Sequence, residues 1–355
     1  MDFQLSDDQR ALRSGMRELL GAVFDRDRMR AAVERGGGVD RGLWRELGAA
    51  GLFALRLPEE AGGVGLGLPE AVLLFEEAGR ALLPGPLVAT HLAAGVVKGA
   101  AEGEAVVTVA EGGDRPVADL EGADAVLVAG GVLAGEGLRD FVAGARAVRS
   151  VDPLTPLHGA EGFRGAGGAF VPLRKAAECR GAEETFAPLP LAAEGLAGGS
   201  EAYPGALRRE GALLTAAEQL GSAARTTDMA VQHARTRQQF GSLIGSFQAV
   251  RHLCADMLAR TEPARAALYA AALTGDPVEI AAAKLLADEA AVRNARDCLQ
   301  IHGGMGFTWE ADVHLHLKRA WLRAARWLTA AEAEELLAAG LAPVRPLYGG
   351  SAAHG

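Results

Sequence analysis

The stretch Arg235-Thr-Arg-Gln-Gln-Phe-Gly-Ser-Leu-Ile-Gly-Ser-Phe-Gln-Ala-Val250 concentrates cationic, amide and glycine chemistry between two long apolar-periodic segments. Arg235 and Arg237 carry fixed positive charge in a planar fork. Gln239 and Gln248 each offer an amide donor and acceptor, and Gly241 and Gly245 let the backbone turn. Such a mixture suits a diphosphate lying across a helix junction. The same residues also make a polar inter-helix turn whose arginines are solvated, and residue types alone leave both readings open. A second glycine-rich stretch, Gln300-Ile-His-Gly-Gly-Met-Gly-Phe307, suits a tight helix exit. His314 and His316 stand two apart, which on a helix sends their side chains to different faces and argues against a shared metal. Glu310 precedes an apolar-periodic run, where an acid favours the N-terminal dipole. Leu57-Pro-Glu-Glu-Ala-Gly-Gly-Val-Gly-Leu-Gly67 superficially resembles a dinucleotide loop, but it lacks the G-x-G-x-x-G spacing and a preceding strand.

The elements that must position these groups follow from periodicity. Ser6 caps a helix carrying Leu12, Met16, Leu19, Leu20 and Val23, with Asp7 and Asp8 in its first turn. Gly36-Gly37-Gly38 breaks the pattern, and a second helix holding Leu43, Trp44, Leu47 and Ala50 stops at Gly51. A third carries Val72, Phe75 and Leu83 and ends at Pro84-Gly-Pro86. From about 102 to 195 the texture changes to short β-type runs, Val106–Val109, Ala125–Val128 and Phe170-Val171, separated by glycine and proline clusters. They predict a compact antiparallel domain. Residues 195–205 read as a linker. Long helical stripes then follow: Leu213, Ala217, Leu220, Ala224 and Val231; Phe247, Val250, Cys254 and Met257; Ile280, Ala283, Ala287 and Ala290. The expected class is α+β, with an N-terminal helical domain over 1–101, a middle β domain over 102–195 and a C-terminal helical bundle over 196–355.

Composition excludes several functions. With 355 residues, a formal net charge of −9 and 49% hydrophobic residues, the chain can bury a large core but has no basic surplus for nucleic acid. No apolar run approaches the roughly 18–20 residues that span a bilayer. Met1-Asp-Phe-Gln-Leu-Ser-Asp-Asp is acidic rather than basic-then-apolar, so a cytoplasmic location is expected. Cys179, Cys254 and Cys298 are odd in number with no Cys-x-x-Cys; Cys254 and Cys298 fall within apolar helical patterns and read as buried thiols of a reducing compartment.

Taken together, the motifs resemble the acyl-CoA dehydrogenase family of flavoproteins over nearly the whole chain. The resemblance rests on Met1–Leu12, on Leu43–Phe53 followed by Pro58–Gly67, and above all on two motifs: Arg237-Gln-Gln-Phe-Gly241 with Phe247-Gln-Ala-Val250, and Gln300–Thr308. It implies FAD as cofactor, lying across a subunit interface. Arg237, Gln239 and Phe240 would contact the diphosphate and nearby parts of a neighbour's FAD, Gln248 its adenosine portion, and Gln300, Gly303 and Gly304 the same cofactor. A guanidinium matches diphosphate oxygens, and bare glycine backbone allows close approach.

Two departures from the family pattern separate the halves of that composite site. The family reaction needs a carboxylate base, usually a glutamate a fixed distance beyond the Gln-Ile-x-Gly-Gly motif. Here that position is Trp327, within Ala325-Arg-Trp-Leu-Thr-Ala-Ala331. Other members carry the base around Gly211, and neither Gly211 nor Ala212 can serve. Glu210 is one residue away, turned about 100° on a helix, and Glu310 is a second weak alternative. In the β region the strands that hold the flavin ring lack the family's tryptophan and hydroxyl donors. The resemblance therefore implies a non-catalytic subunit of a heteromeric, α2β2 acyl-CoA dehydrogenase. A partner chain would supply the base and most of the acyl-CoA site, with an electron-transfer acceptor protein as a further partner. The alternatives are a self-sufficient homo-oligomer using Glu210 or Glu310, and a flavin-free scaffold protein.

Overall fold

A computed structural model describes residues 4–112, 115–128, 131–159, 171–172 and 202–341. Among them, the N-terminal region holds α1 (Asp7–Val23), α2 (Arg26–Glu34), α3 (Arg41–Ala49), α4 (Leu68–Arg80) and α5 (Leu87–Ala93). Ser6 caps α1 as its sequence suggests, closing a capping box with Gln9. Two helices here are not evident from periodicity. Asp25 caps a separate α2, its side chain accepting from the Arg28 N–H at 2.8 Å. Past Pro84-Gly-Pro86 the chain re-enters a helix, α5, at Leu87. Leu83 lies beyond the end of α4, after Leu82 has turned through φ 56°.

The middle region is not the purely antiparallel unit expected. β1 (Val107–Val109) pairs in parallel with β3 (Ala125–Val128), which pairs antiparallel with β4 (Gly131–Ala134) and through it with β7 (Val171–Pro172). The reason is the route of the chain. Between β1 and β3 it crosses into a second sheet of β2 (Val117–Ala118), β6 (Leu157–Gly159) and β5 (Arg146–Val148), and so returns in its original direction. A helix missed in the sequence, α6 (Gly135–Ala143), packs Leu138 and Phe141 into a small core with Val117, Leu120, Val126 and Leu133.

The C-terminal region is the expected helical bundle: α7 (Ala202–Thr236), α8 (Gln248–Thr274), α9 (Pro277–His302), α10 (Val313–Ala324) and α11 (Ala330–Gly340). Glycines set how closely α4 crosses α7. A Cβ on Gly79 would overlap the Glu218 backbone, and one on Gly221 would overlap the Glu76 carbonyl. Buried amides staple the bundle. The Asn294 amide donates to the Met257 carbonyl at 3.0 Å and to the Thr261 hydroxyl at 2.9 Å, tying α9 to α8. The Gln219 amide donates to Asp288 at 2.9 Å and to the Ala320 carbonyl at 3.0 Å, tying α7 to α9 and α10. Left unmade, each such buried bond would cost about 1–3 kcal/mol. Cys298 is buried but Cys254 is only half-buried, and Cys179 lies outside the described residues. No helix of the described residues is long and apolar enough to cross a membrane.

Candidate functional site

The two glycine-containing motifs sit on the same end of the bundle. α7 ends in a tight hairpin, β8 (Gln238–Gln239) and β9 (Ser242–Leu243), whose two-residue turn holds Phe240 at φ 54° and Gly241 at φ 76°. Arg237 anchors it through backbone alone: its N–H donates to the His233 carbonyl at 2.8 Å and its carbonyl accepts from the Ile244 N–H at 2.9 Å. Gln248 then opens α8. At the end of α9, Gln300 precedes the turn at Gly303, which takes φ 60°, and Gly304. The His233 and His302 rings stack with centroids 4.1 Å apart, joining the two motifs over a core of Ala230, Ala234, Ile244, Cys298, Leu299 and Ile301. Burial and the positive charge of His302 and Arg237 nearby lower the His233 pKa.

Arg237, Gln239, Phe240, Gln248, Gln300, Gly303 and Gly304 are all exposed. The Phe240 ring is 93% exposed and meets Phe247 edge-on at 6.2 Å; Phe307 and Met305 are exposed beside the second motif. Among the described residues no carboxylate or hydrogen-bond partner meets the guanidinium of Arg235 or Arg237. Open forks, an open aromatic ring and bare glycine backbone fit an anionic, flat-ringed ligand approaching from outside the chain. His302 also hydrogen-bonds the Cys298 carbonyl through Nδ1 at 2.8 Å. His316 faces Ser222 at 2.8 Å, whereas His314 stacks on Trp309.

The two positions at which the family resemblance places the base, 211 and 327, lie together, and one ring occupies them. Trp327 is 4% exposed and takes φ 63°, a strained backbone for a bulky residue. Its indole lies against Gly211, so that a Cβ at Gly211 would overlap the ring. The Trp327 N–H donates to Glu111 at 2.6 Å, and its carbonyl accepts from Arg208 Nε at 2.5 Å. Glu111 is held in turn by Arg326 at 2.6 Å and Arg115 at 2.9 Å. Glu210 points elsewhere, paired to Arg56 at 2.7 Å. Glu310 is fully exposed before α10, while Trp327 follows its far end, about 18 Å away at ~1.5 Å per residue.

Trp327 also walls a cavity of about 150 Å³ between α5, β1, β2, α7 and α10. That is below the roughly 300–1,000 Å³ of ordinary small-molecule sites. Leu87, Val88, Val109, Leu157 and Leu322 line one part, and Asp119, Glu218, Arg319, Arg323 and Arg326 the other. Burial pushes the Asp119 carboxyl up to about 7 and raises that of Glu218, and it brings the Arg323 guanidinium down to about 10. The Thr108 hydroxyl of β1, fully buried, donates to the Ala118 carbonyl at 2.6 Å. Reading the sequence missed this charged cluster. Part of its signal was present: Arg319 and Arg323 recur at i and i+4, one face of a helix, with Arg326 just beyond its end.

Comparison with known proteins closes the identification. Residues 6–102 match the acyl-CoA dehydrogenase N-terminal domain and residues 206–332 the acyl-CoA dehydrogenase C-terminal domain. The chain is similar to acyl-CoA dehydrogenase IpdE2 of Mycobacterium tuberculosis, 33% identical over 82% of this chain and 84% of that protein. It is also 34% identical to acyl-CoA dehydrogenase FadE34 of the same organism over 86% of this chain, a match that spans only 45% of that longer protein. In fold it resembles the ChsE4–ChsE5 complex of Mycobacterium tuberculosis, with a TM-score of 0.73 at 23% identity over 97% of this chain and 100% of that one. The chain belongs to the acyl-CoA dehydrogenase family.

Proposed function

We propose that this chain is the non-catalytic subunit of a heteromeric, FAD-dependent acyl-CoA dehydrogenase. The observation that carries the reading is the packing of Trp327 on Gly211, which fills both positions where the family resemblance places the base. Glu210 is committed to Arg56 and Glu310 is a helix length away, so neither replaces it. The chain's own ring pocket does not fit a flavin: about 150 Å³ is too small, and charged side chains occupy its wall. The bundle end does fit the other part of FAD. There Arg237 would pair the diphosphate, Gln239 and Gln248 would hydrogen-bond nearby, Phe240 would cover a face, and Gln300, Gly303 and Gly304 would offer close backbone approach. Bound FAD supplies the hydride acceptor for α,β-dehydrogenation of an acyl-CoA thioester. This chain's share is to hold the cofactor against a partner that carries the base. The ChsE4–ChsE5 complex, a pairing of differently named chains, supports that arrangement.

Purified chain mixed with its partner is expected to bind about one FAD per heterodimer, counted by flavin absorbance against protein, and to dehydrogenate acyl-CoA. Glu210→Gln in this chain is expected to leave that activity unchanged. A flavin-loaded, active homo-oligomer of this chain alone would overturn the reading. A heteromer that assembles without flavin would instead favour the scaffold alternative.

A further inference from the structure

The polar wall of the cavity behind Trp327 has donors left over, and their arrangement specifies a ligand. Arg319 and Arg323 stand at i and i+4 on α10, so their Cβ atoms are about 5–6 Å apart and both guanidiniums face the same space. Each keeps one terminal nitrogen unused. Arg319 engages Asp152 through Nε and the Leu83 carbonyl through Nη1 at 3.0 Å, and Arg323 engages Glu218 through Nη2 at 2.8 Å. Arg319 Nη2 and Arg323 Nη1 have no hydrogen-bond partner among the described residues, although the side chains are only 4% and 6% exposed. Asp119 Oδ1, on a residue 4% exposed, is the third polar atom of this wall without a partner. Asp152 and Glu218 balance the two charges, and the two unused nitrogens line one pocket, each placed to donate a hydrogen bond to an oxyanion. Leu87, Val88, Val109, Leu157 and Leu322 add hydrocarbon to the lining, alongside Arg115, Thr155 and Thr215.

We infer that this cavity is a binding site for a short alkyl carboxylate, whose oxygens bridge Arg319 and Arg323 and whose chain lies against Leu87, Val88 and Leu322. The volume sets the length. At about 150 Å³ the space favours a short chain over a long one. Asp119, which keeps its proton below about pH 7, provides a donor for one ligand oxygen. The site needs neither flavin nor partner chain, so it stands or falls separately from the subunit role.

The test is calorimetric titration of the full chain with formate, acetate, propionate and butyrate at constant ionic strength, with chloride as control. Saturable binding is expected, tightening about fourfold for each methylene added until the cavity is full. Arg323→Gln is expected to weaken propionate about tenfold or more. Because that substitution also disturbs Glu218, Ala118→Leu provides a second variant. Ala118 lines the cavity, and the larger side chain should exclude propionate while keeping or raising Tm. Folded wild-type chain that binds none of the four overturns the inference, with ordered water then filling the space. So does equal affinity across the series, or propionate binding that survives both substitutions.

Discussion

At the scale of single residues, Trp327 decides the most. Its ring is packed where a side chain on Gly211 would have to go. Gly211→Ala is expected to destabilise by about 1–3 kcal/mol through overpacking, and Trp327→Ala by about 3–5 kcal/mol through the void it leaves. Since the methyl group fits only where the ring is gone, the double variant should cost less than the sum of the two, measured by urea unfolding. Asp119 permits a second test. Its folded-state pKa of about 7 lies above the ordinary 3.8, so between those values the native protein holds a proton that the unfolded chain has released. Stability therefore falls as pH rises through that window. Asp119→Asn removes the loss, and the φ of 53° suits asparagine. Variant and wild type should unfold at similar temperatures near pH 4, with the variant ahead above pH 7 by on the order of 4 kcal/mol. Counting forward from Gln300 makes the absence of a glutamate at position 327 legible in the sequence. That the replacement ring rests on Gly211 is not, because packing between residues so far apart leaves no local pattern.

At the scale of elements, the hairpin after α7 and the turn after α9 form one surface because two stacked imidazoles join the helices beneath them. Arg237 is exposed and, among the described residues, makes only backbone bonds. Arg237→Ala is therefore expected to change the chain's own stability by no more than about 0.5 kcal/mol. In the heteromer proposed above, the same change should weaken FAD tenfold or more, read by flavin fluorescence, through loss of a charge-assisted pair. The long helices and α3 were legible from apolar stripes at 3.6-residue spacing, and the start of α1 from Ser6 followed by two acids. Other short elements were not. α2 and α6 are as long as α3 but bury only Met29, Ala32 and Val33 or Leu138 and Phe141, α5 runs for seven residues, and the parallel β1–β3 pairing depends on a crossing into another sheet that no strand pattern encodes.

At the scale of the whole molecule, exposed chemistry is gathered at one end of the bundle and buried charge at the cavity. The exposed end carries Phe240, Phe247, Met305 and Phe307 alongside Arg235 and Arg237, which are unpaired among the described residues. The overall α+β architecture and the location of that end were readable from motif order alone. The charged cavity was not, since Arg319 and Arg323 look like ordinary solvated arginines until the helix they lie on is seen to be buried.

The wedge of Trp327 on Gly211 also bears on the history of the fold. A single substitution restoring glutamate at 327 would first open a void costing about 3–5 kcal/mol, against a total stability of about 5–15 kcal/mol. A single substitution at Gly211 would collide with the ring. If the chain is the subunit proposed above, either route to an independent enzyme costs stability before it can gain activity, which would work as a ratchet holding it to its partner.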